Sequence, residues 1–199
     1  MLASGLAFVG VTGTVRHLGT ALPAAEGAFL RFGFGLLFLL PVLVPALRTG
    51  YAPRVWRMFA ARGALHTAAV ILWFYAMARL TVADVTAIGY LNPIGVTIGA
   101  ALVFGERLAL RRILAICVAI VGALVILRPG FRQIEPAHLA QLGAAAGFAV
   151  SYLITKRISG LAPASAVVAT MSLTVTIGLA PIAALNWVPP AIVQLGWLV

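Results

Sequence analysis

A charged side chain interrupts a long apolar run of the chain. Arg31 lies within residues 24–47, which are otherwise almost entirely apolar. A charge at depth in a membrane segment usually faces a cavity or a partner, and a guanidinium there binds anionic groups. Glu26 stands five residues earlier, a poor spacing for a pair on one helix face. Two interpretations stay open: Arg31 contacts a substrate, or it extends to the membrane surface or bonds backbone carbonyls.

A second apolar run, residues 83–104, carries polar side chains on one helical face. They follow the spacing i, i+4, i+7 and i+11: Thr86, Tyr90, Pro93 and Thr97. Asn92 stands beside Pro93, whose ring frees a backbone carbonyl. Transporters often place ligand sites at broken helices near the middle of the membrane. The alternative is a kinked helix whose polar side chains bond neighbouring helices.

Aromatic side chains mark a third run, residues 59–78. His66 and Trp73 fall on one helical face, and Phe74 and Tyr75 adjoin it. An aromatic wall of this kind suits a ring-bearing or cationic ligand. Packing, or an aromatic belt at the membrane surface, is the alternative.

These patterns predict a substrate site. The candidate residues are Arg31, His66, Trp73, Tyr75, Tyr90, Asn92 and Thr97. We expect four of them to approach a common polar space, because an unpaired polar group in hydrocarbon is strongly unfavourable. These four are Arg31, Trp73, Tyr90 and Asn92.

Enzymatic chemistry has little support in the sequence. His17, His66 and His138 are scattered and lack the spacing of metal ligands. There is no G-x-S-x-G motif, no P-loop and no pair of carboxylates inside an apolar run. Cys117 is the single cysteine and cannot form an intrachain disulfide. We therefore predict that the protein is not an enzyme and uses no cofactor and no metal.

The composition predicts a membrane protein. Hydrophobic residues make up 63% of the 199 residues and charged residues 9%, whereas a soluble domain carries about 25% charged residues. The net charge of +10 comes from basic residues between apolar runs, which favours a role in membrane orientation over nucleic-acid binding. We predict an all-α, polytopic membrane helix bundle in the lipid bilayer, with no nucleic-acid partner.

Seven apolar runs are predicted to cross the membrane, which takes about 20 residues of helix. They are residues 2–15 (extending up to 22), 24–47, 59–78, 83–104, 108–127, 139–155 and 164–185. The charged hinge Gly105-Glu106-Arg107 predicts a turn at the membrane surface, and Pro41, Pro93 and Pro181 predict kinks inside helices. An eighth run, residues 191–199, is about 14 Å long as a helix, so we expect an incomplete eighth span.

Two pairs of glycines predict close helix packing. Gly95 and Gly99 form one small-xxx-small pair, and Gly143 and Gly147 form the other. Because these residues have no side chain, two helix backbones can approach closely there.

The basic residues predict the orientation. With the N-terminus inside, nine basic residues fall on inner loops: Arg48, Arg54, Arg57, Arg62, Arg107, Arg111, Arg112, Lys156 and Arg157. Four fall on the outer ends: Arg16, Arg79, Arg128 and Arg132. The positive-inside rule therefore favours a cytoplasmic N-terminus.

A weak internal repeat appears at an offset of 140 residues. Pro23 matches Pro163, and Pro41 matches Pro181. A repeat of five helices crosses the membrane an odd number of times, so the second copy enters from the opposite side. We predict inverted five-helix repeats, with the first at residues 1–130 and an incomplete second at residues 131–199.

Four segments together resemble the EamA-type family of the drug/metabolite transporter superfamily. They are Trp73 to Leu80, Ala87 to Pro93, Gly105-Glu106-Arg107, and Gly122 to Gly130. The phrase ILRPG, with Leu30-Arg31-Phe32, is similar to S-adenosylmethionine-uptake-like and amino-acid-exporter-like members. This resemblance implies ten helices in two inverted repeats and transport of small metabolites across the bacterial inner membrane. Against that pattern, we expect this chain to lack helices nine and ten and most of helix eight.

Two functions from different classes follow. The first is a transporter of small metabolites, such as amino acids or nucleoside-like compounds, with a homodimer left open. The alternative is a non-transporting truncated membrane protein or an assembly partner.

Overall fold

The computed structural model describes residues 24–127, 135–185 and 187–189, and its regular structure there is entirely helical. The helices are α1 (Ala24–Arg48), α2 (Pro53–Met77), α3 (Val82–Gly89), α4 (Leu91–Phe104), α5 (Leu110–Leu127), α6 (Pro136–Ile158) and α7 (Ala164–Leu185). The prediction of an all-α bundle is confirmed. The predicted spans at residues 2–15 and 191–199 lie outside the described residues.

Five helical segments in this part of the chain are long and apolar enough to cross a membrane, with α3 and α4 counted as one. The predicted bounds of α1 and α7 agree with the structure. The predicted start of α2 at residue 59 is wrong, because the helix begins at Pro53. Proline is favoured at this first position, where its missing N–H would have no helical partner. The helix α6 is likewise longer at both ends than residues 139–155.

The predicted continuous helix at residues 83–104 is broken at Tyr90, which has φ −65° and ψ −13° and separates α3 from α4. Pro93 is the third residue of α4 and cannot donate to the carbonyl of Gly89. The break therefore lies in the turn before Pro93, which is where a proline kink is expected. Pro41 and Pro181 lie inside α1 and α7, as predicted.

The helix α2 is the centre of the described bundle. It packs along both α6 and α7, while α1 lies against α7 and α2. The helices α3 and α4 pack on α6 from its other side, and α5 lies outside them. Large apolar side chains such as Phe38, Leu102 and Val118 are exposed on the outer surface, as expected for a bundle surrounded by lipid.

Glycines allow the central helices to approach closely. A Cβ on Gly147 would lie 3.0 Å from the Cβ of Ala69 on α2, and one on Gly95 would lie 3.0 Å from the Cβ of Ala149 on α6. Their partners in the predicted pairs, Gly99 and Gly143, face Leu153 and Leu72 in the same two interfaces. The prediction of close packing at both glycine pairs is confirmed.

The charged hinge forms a non-helical turn at residues 105–109, as predicted. Gly105 ends α4 with φ +67°, a left-handed conformation that favours glycine. Glu106 forms an ion pair with Lys156 near the end of α6, and the Lys156 ammonium also lies 5.0 Å from the centre of the Phe104 ring. The hydrogen bond and charge of Lys156, with the charge of Arg112, hold the pKa of Glu106 below its ordinary range.

The first prediction concerns the contact of α2 with α7. A Cβ on Gly63 would overlap the Cβ, hydroxyl and methyl of Thr174, and the Cβ cannot move away by rotation. We expect Gly63→Ala to lower the free energy of unfolding by about 1–3 kcal/mol because it overpacks the interface. Gly122→Ala is the control, since no atom lies within 4 Å of the added methyl. Equal stability of the two variants in an SDS unfolding titration would contradict the prediction.

The second prediction concerns Glu106. We expect its carboxyl to titrate below the ordinary value of 4.5, and Lys156→Gln to raise that pKa by removing its main partner. The pairing therefore contributes at neutral pH and is lost as the pH falls through the lowered pKa. Carbon-13 NMR of labelled glutamate measures both values, because the sequence has only three glutamates to assign, Glu26, Glu106 and Glu135. An unchanged Glu106 titration in the variant would show that Lys156 is not the cause.

Candidate functional site

The sequence-predicted site residues occupy different surroundings. His66 and Trp73 lie on the buried face of α2, whereas Tyr75 on the same helix is 40% exposed. Arg31 is exposed on α1. Arg31 lies on α1, which packs mainly on α7, whereas Tyr90 lies between α3 and α4, which pack mainly on α6.

The broken span carries three of the predicted residues. Tyr90 is 61% exposed at the break, and the Thr97 hydroxyl donates to the Pro93 carbonyl at 2.8 Å. The side-chain oxygen of Asn92 is buried and has no hydrogen-bond partner in the described part of the chain. Of these three residues, Asn92 therefore has the clearest unused capacity to bind a polar group.

His66 lies between three helices. Its Nδ1 is 3.2 Å from the hydroxyl of Ser151 on α6, and the serine is fully buried. The imidazole also contacts the rings of Phe148 on α6 and Phe32 on α1, with centroid distances of 5.0 Å and 6.4 Å. A polar group is thus held inside an otherwise apolar and aromatic environment.

Arg62 lies one helical turn before His66 on the same face of α2, not in a loop. It is the tenth residue of α2 and only 5% exposed, so its placement in an inner loop was wrong. The predicted helix began at residue 59, whereas α2 begins at Pro53, and this difference placed Arg62 too near the helix end. Pro53 was the available signal, because a proline at the first helical position places Arg62 well inside the span.

The guanidinium of Arg62 is only partly satisfied by the protein. Its Nη1 donates to the Val167 carbonyl on α7 at 2.6 Å, and its Nε has no partner among the described residues. The Thr170 hydroxyl, also buried, lies 3.3 Å from the same carbonyl. A buried cation with a free donor is unusual, because burying an unpaired charge is strongly unfavourable.

These residues define a polar lane between the central helices. It consists of Arg62 and His66 on α2, Ser151 on α6 and Thr170 on α7. All four are buried, and three of them, Arg62, His66 and Ser151, make a hydrogen-bond contact with a different helix. The lane therefore lies within the packed interior of the described bundle.

A separate pocket of about 470 Å³ opens where α1 begins and where α2 and α7 end. Its polar lining consists of Glu26, Tyr75 and Arg79, and its apolar lining includes Phe74 and Leu179. The guanidinium of Arg79 stacks 3.8 Å above the Tyr75 ring, and its Nη1 donates to the Tyr75 carbonyl at 3.2 Å. Tyr75 therefore takes part in a cation–π contact with a residue of the chain itself.

The model of the EamA-like transporter family matches residues 1–128, well over half of the chain. The chain belongs to the EamA-like transporter family. This membership confirms the resemblance drawn from the sequence motifs and, together with the membrane-length helices, makes the chain a multi-pass membrane protein. It also agrees with the prediction that the protein is not an enzyme, since the family is one of transporters.

Curated relatives of this EamA-like chain carry transport names. A riboflavin transporter of Rhizobium johnstonii is 32% identical over 167 residues, which cover 81% of this chain and 54% of that protein. An S-adenosylmethionine uptake transporter of Rickettsia prowazekii is 27% identical over 190 residues, which cover 92% of this chain and 62% of that protein. A pseudopaline exporter of Pseudomonas aeruginosa is 30% identical, over 58% of this chain and 40% of its own length.

The chain spans about half of the first of these proteins and less than two thirds of the second. No solved structure matches it.

A double-mutant cycle tests the contact between His66 and Ser151. We expect His66→Phe and Ser151→Ala each to destabilise the bundle, and the double variant to lose less than the sum. The reason is that each single change leaves one buried polar group unpaired. Hydrogen bonds in membrane bundles couple by about 0.6 kcal/mol on average and up to about 1.7 kcal/mol, which sets the expected size. Strictly additive changes in unfolding free energy would show that the two side chains do not interact.

Proposed function

We propose that this EamA-like protein transports small metabolites across a bacterial inner membrane, and that the substrate path runs along the inward face of α2. Membership of a transporter family and the transport names of its bacterial relatives support the proposal. The described bundle also has the required character, with five helical segments able to cross a membrane around a buried polar interior.

Arg62 is the observation that carries the site. A permanent positive charge inside a membrane bundle is retained when it has a function, because it is expensive to bury. Among the described residues a single backbone carbonyl accepts from the guanidinium, and Nε has no partner there and is available to a ligand. A carboxylate or phosphate oxygen of a substrate is the natural acceptor for this donor. The proposal therefore assigns Arg62 to the anionic part of the transported molecule.

The proposed orientation keeps the N-terminus in the cytoplasm. Removing the buried Arg62 from the inner loops leaves eight basic residues inside against four outside, which still satisfies the positive-inside rule. In this orientation the start of α2, and with it Arg62, lies toward the cytoplasm. The pocket around Glu26 then lies toward the outer side of the membrane.

The two-repeat organisation, with units at residues 1–130 and 131–199, is part of the proposal. The helices α1 and α7 begin at Ala24 and Ala164, which preserves the offset of 140 residues seen in the sequence. Both contain a proline at the matching position, Pro41 and Pro181, and they pack against each other. Contacts between corresponding helices of two repeats support an inverted-repeat arrangement. The proposal also includes a homodimer, which light scattering of the purified protein in detergent would detect.

Binding measurements with a set of candidate compounds will identify the substrate. Riboflavin, S-adenosylmethionine and pseudopaline are named for the relatives, and amino acids and nucleosides complete the set of compounds to screen. The seven residues chosen from the sequence remain candidates for contact: Arg31, His66, Trp73, Tyr75, Tyr90, Asn92 and Thr97.

The test compares two arginines of the same membrane protein. In proteoliposomes, we expect Arg62→Gln to reduce uptake of the best-bound compound at least about tenfold, equivalent to about 1.4 kcal/mol of lost binding. Arg62→Lys should retain part of the uptake because it keeps the charge. Arg31→Gln makes the same chemical change on an exposed residue and should have a smaller effect.

Two results would contradict this assignment. A larger loss of uptake with Arg31→Gln than with Arg62→Gln would indicate that the anionic group of the substrate binds Arg31 on α1. If the wild-type chain binds none of the compounds and transports none, the alternative of a non-transporting membrane protein is favoured. Unfolding titrations of both variants show whether a loss of uptake reflects loss of the fold.

A further inference from the structure

Glu26 has an incompletely satisfied carboxylate in the interior of the bundle. It lies in the first turn of α1 and its side chain is fully buried. Its Oε2 accepts a hydrogen bond from the backbone N–H of Val188 at 3.0 Å, whereas Oε1 has no partner in the described part of the chain. Buried polar atoms without hydrogen-bond partners are rare in proteins, so we expect this oxygen to accept a hydrogen bond from a further donor.

The same residue lines the pocket of about 470 Å³. Volumes of this size accommodate small organic ligands. Ile71, Phe74, Leu179 and Ile182 give the pocket an apolar wall, and Arg79 contributes a guanidinium. The pocket thus combines an apolar surface with a negative group at one position and a positive group at another.

Arg79 does not satisfy Glu26. Its guanidinium is held over the Tyr75 ring and bonded to the Tyr75 carbonyl, and Glu26 Oε1 has no hydrogen-bond partner among the described residues. A molecule in the pocket is one source of the donor that Glu26 Oε1 lacks among the described residues. A primary ammonium fits best, because it carries a positive charge and three N–H donors in a small volume.

We infer that this pocket binds the ammonium group of a small amphiphilic ligand through Oε1 of Glu26. The apolar part of the ligand contacts the wall formed by Phe74 and Leu179, and Arg79 is placed to receive a carboxylate when the ligand carries one. Binding at Oε1 leaves the contact of Oε2 with Val188 in place. The site is separate from Arg62, which lies many residues earlier on α2. The inference rests on the proposed function only in treating the ligand as the transported molecule.

Three probes with the same leucine side chain test the ligand chemistry. L-Leucinamide carries the ammonium alone, L-leucine carries both charges, and N-acetyl-L-leucine carries only the carboxylate. We expect isothermal titration of the full chain in lipid nanodiscs to show binding of the first two, with N-acetyl-L-leucine at least tenfold weaker. Equal affinity for N-acetyl-L-leucine, or no binding of leucinamide at millimolar concentration, would overturn the inference.

Variants then test the residues. Glu26→Gln keeps an oxygen that can accept from Val188 but removes the charge, and it should weaken leucinamide binding at least tenfold. Glu106→Gln removes a carboxylate from the turn after α4 and should leave the affinity unchanged. Arg79→Gln should weaken leucine binding but not leucinamide binding if Arg79 receives the carboxylate. Unchanged leucinamide affinity in Glu26→Gln would reduce Glu26 to a structural contact of Val188.

The wild-type probe series does not depend on any variant, so the inference stays testable if Glu26→Gln unfolds. The binding and uptake experiments also distinguish a failure of the inference from a failure of the proposed function. Ammonium binding by a chain that transports nothing would contradict the proposed function alone. Uptake that depends on Arg62, without any ammonium selectivity in binding, would contradict the inference alone.

Discussion

The close approach of α2 to α6 and α7 is the constraint on which the rest of the described structure depends. In lipid the hydrophobic effect does not drive helices together, so association depends on close packing and on hydrogen bonds between helices. Missing side chains make this approach possible at Gly63 and Gly147, and at Gly178, where a Cβ would lie 2.6 Å from the Thr67 methyl. The polar lane lies between these same helices, so its exclusion from lipid follows from the same contacts.

Buried polar groups lie near the middle of α2 and at its C-terminal end, with an apolar cluster between them. Arg62 and His66 are the tenth and fourteenth of its 25 residues, and the pocket with Glu26 and Arg79 lies at its end. Between them is a cluster that includes Val70, Trp73, Phe74, Val175 and Leu179. Trp73, one of the residues chosen from the sequence, therefore belongs to the packing that separates the two polar regions. Under the proposed transport function, a substrate that passes from one region to the other would require this cluster to rearrange, as in an alternating-access mechanism.

Only some of the residues that are prominent in the sequence also form the proposed sites. Arg31 was conspicuous because it interrupts an apolar run, yet its side chain is exposed in the described bundle. Arg62 was hidden in a basic stretch that resembles a membrane-surface loop, yet it is buried and bonded to α7. The sequence suggests Glu26 only as a partner for Arg31. In the structure Glu26 accepts a hydrogen bond from the backbone N–H of Val188, near the end of the described residues. Sequence spacing on one helix cannot reveal such contacts, because they join residues more than one hundred positions apart.

The sequence by itself determined the membrane setting, the helical class, most helix bounds, the surface turn at Gly105-Glu106-Arg107 and the glycine-mediated packing. These features depend on local composition and on the periodicity of one helix, since every backbone polar group in lipid must be satisfied within its own segment. Only the tertiary structure decided which face of each helix is buried, which charges lose contact with solvent, and where a pocket remains. Those outcomes depend on which helices meet and in what register, and the face of an almost wholly apolar helix does not encode that choice.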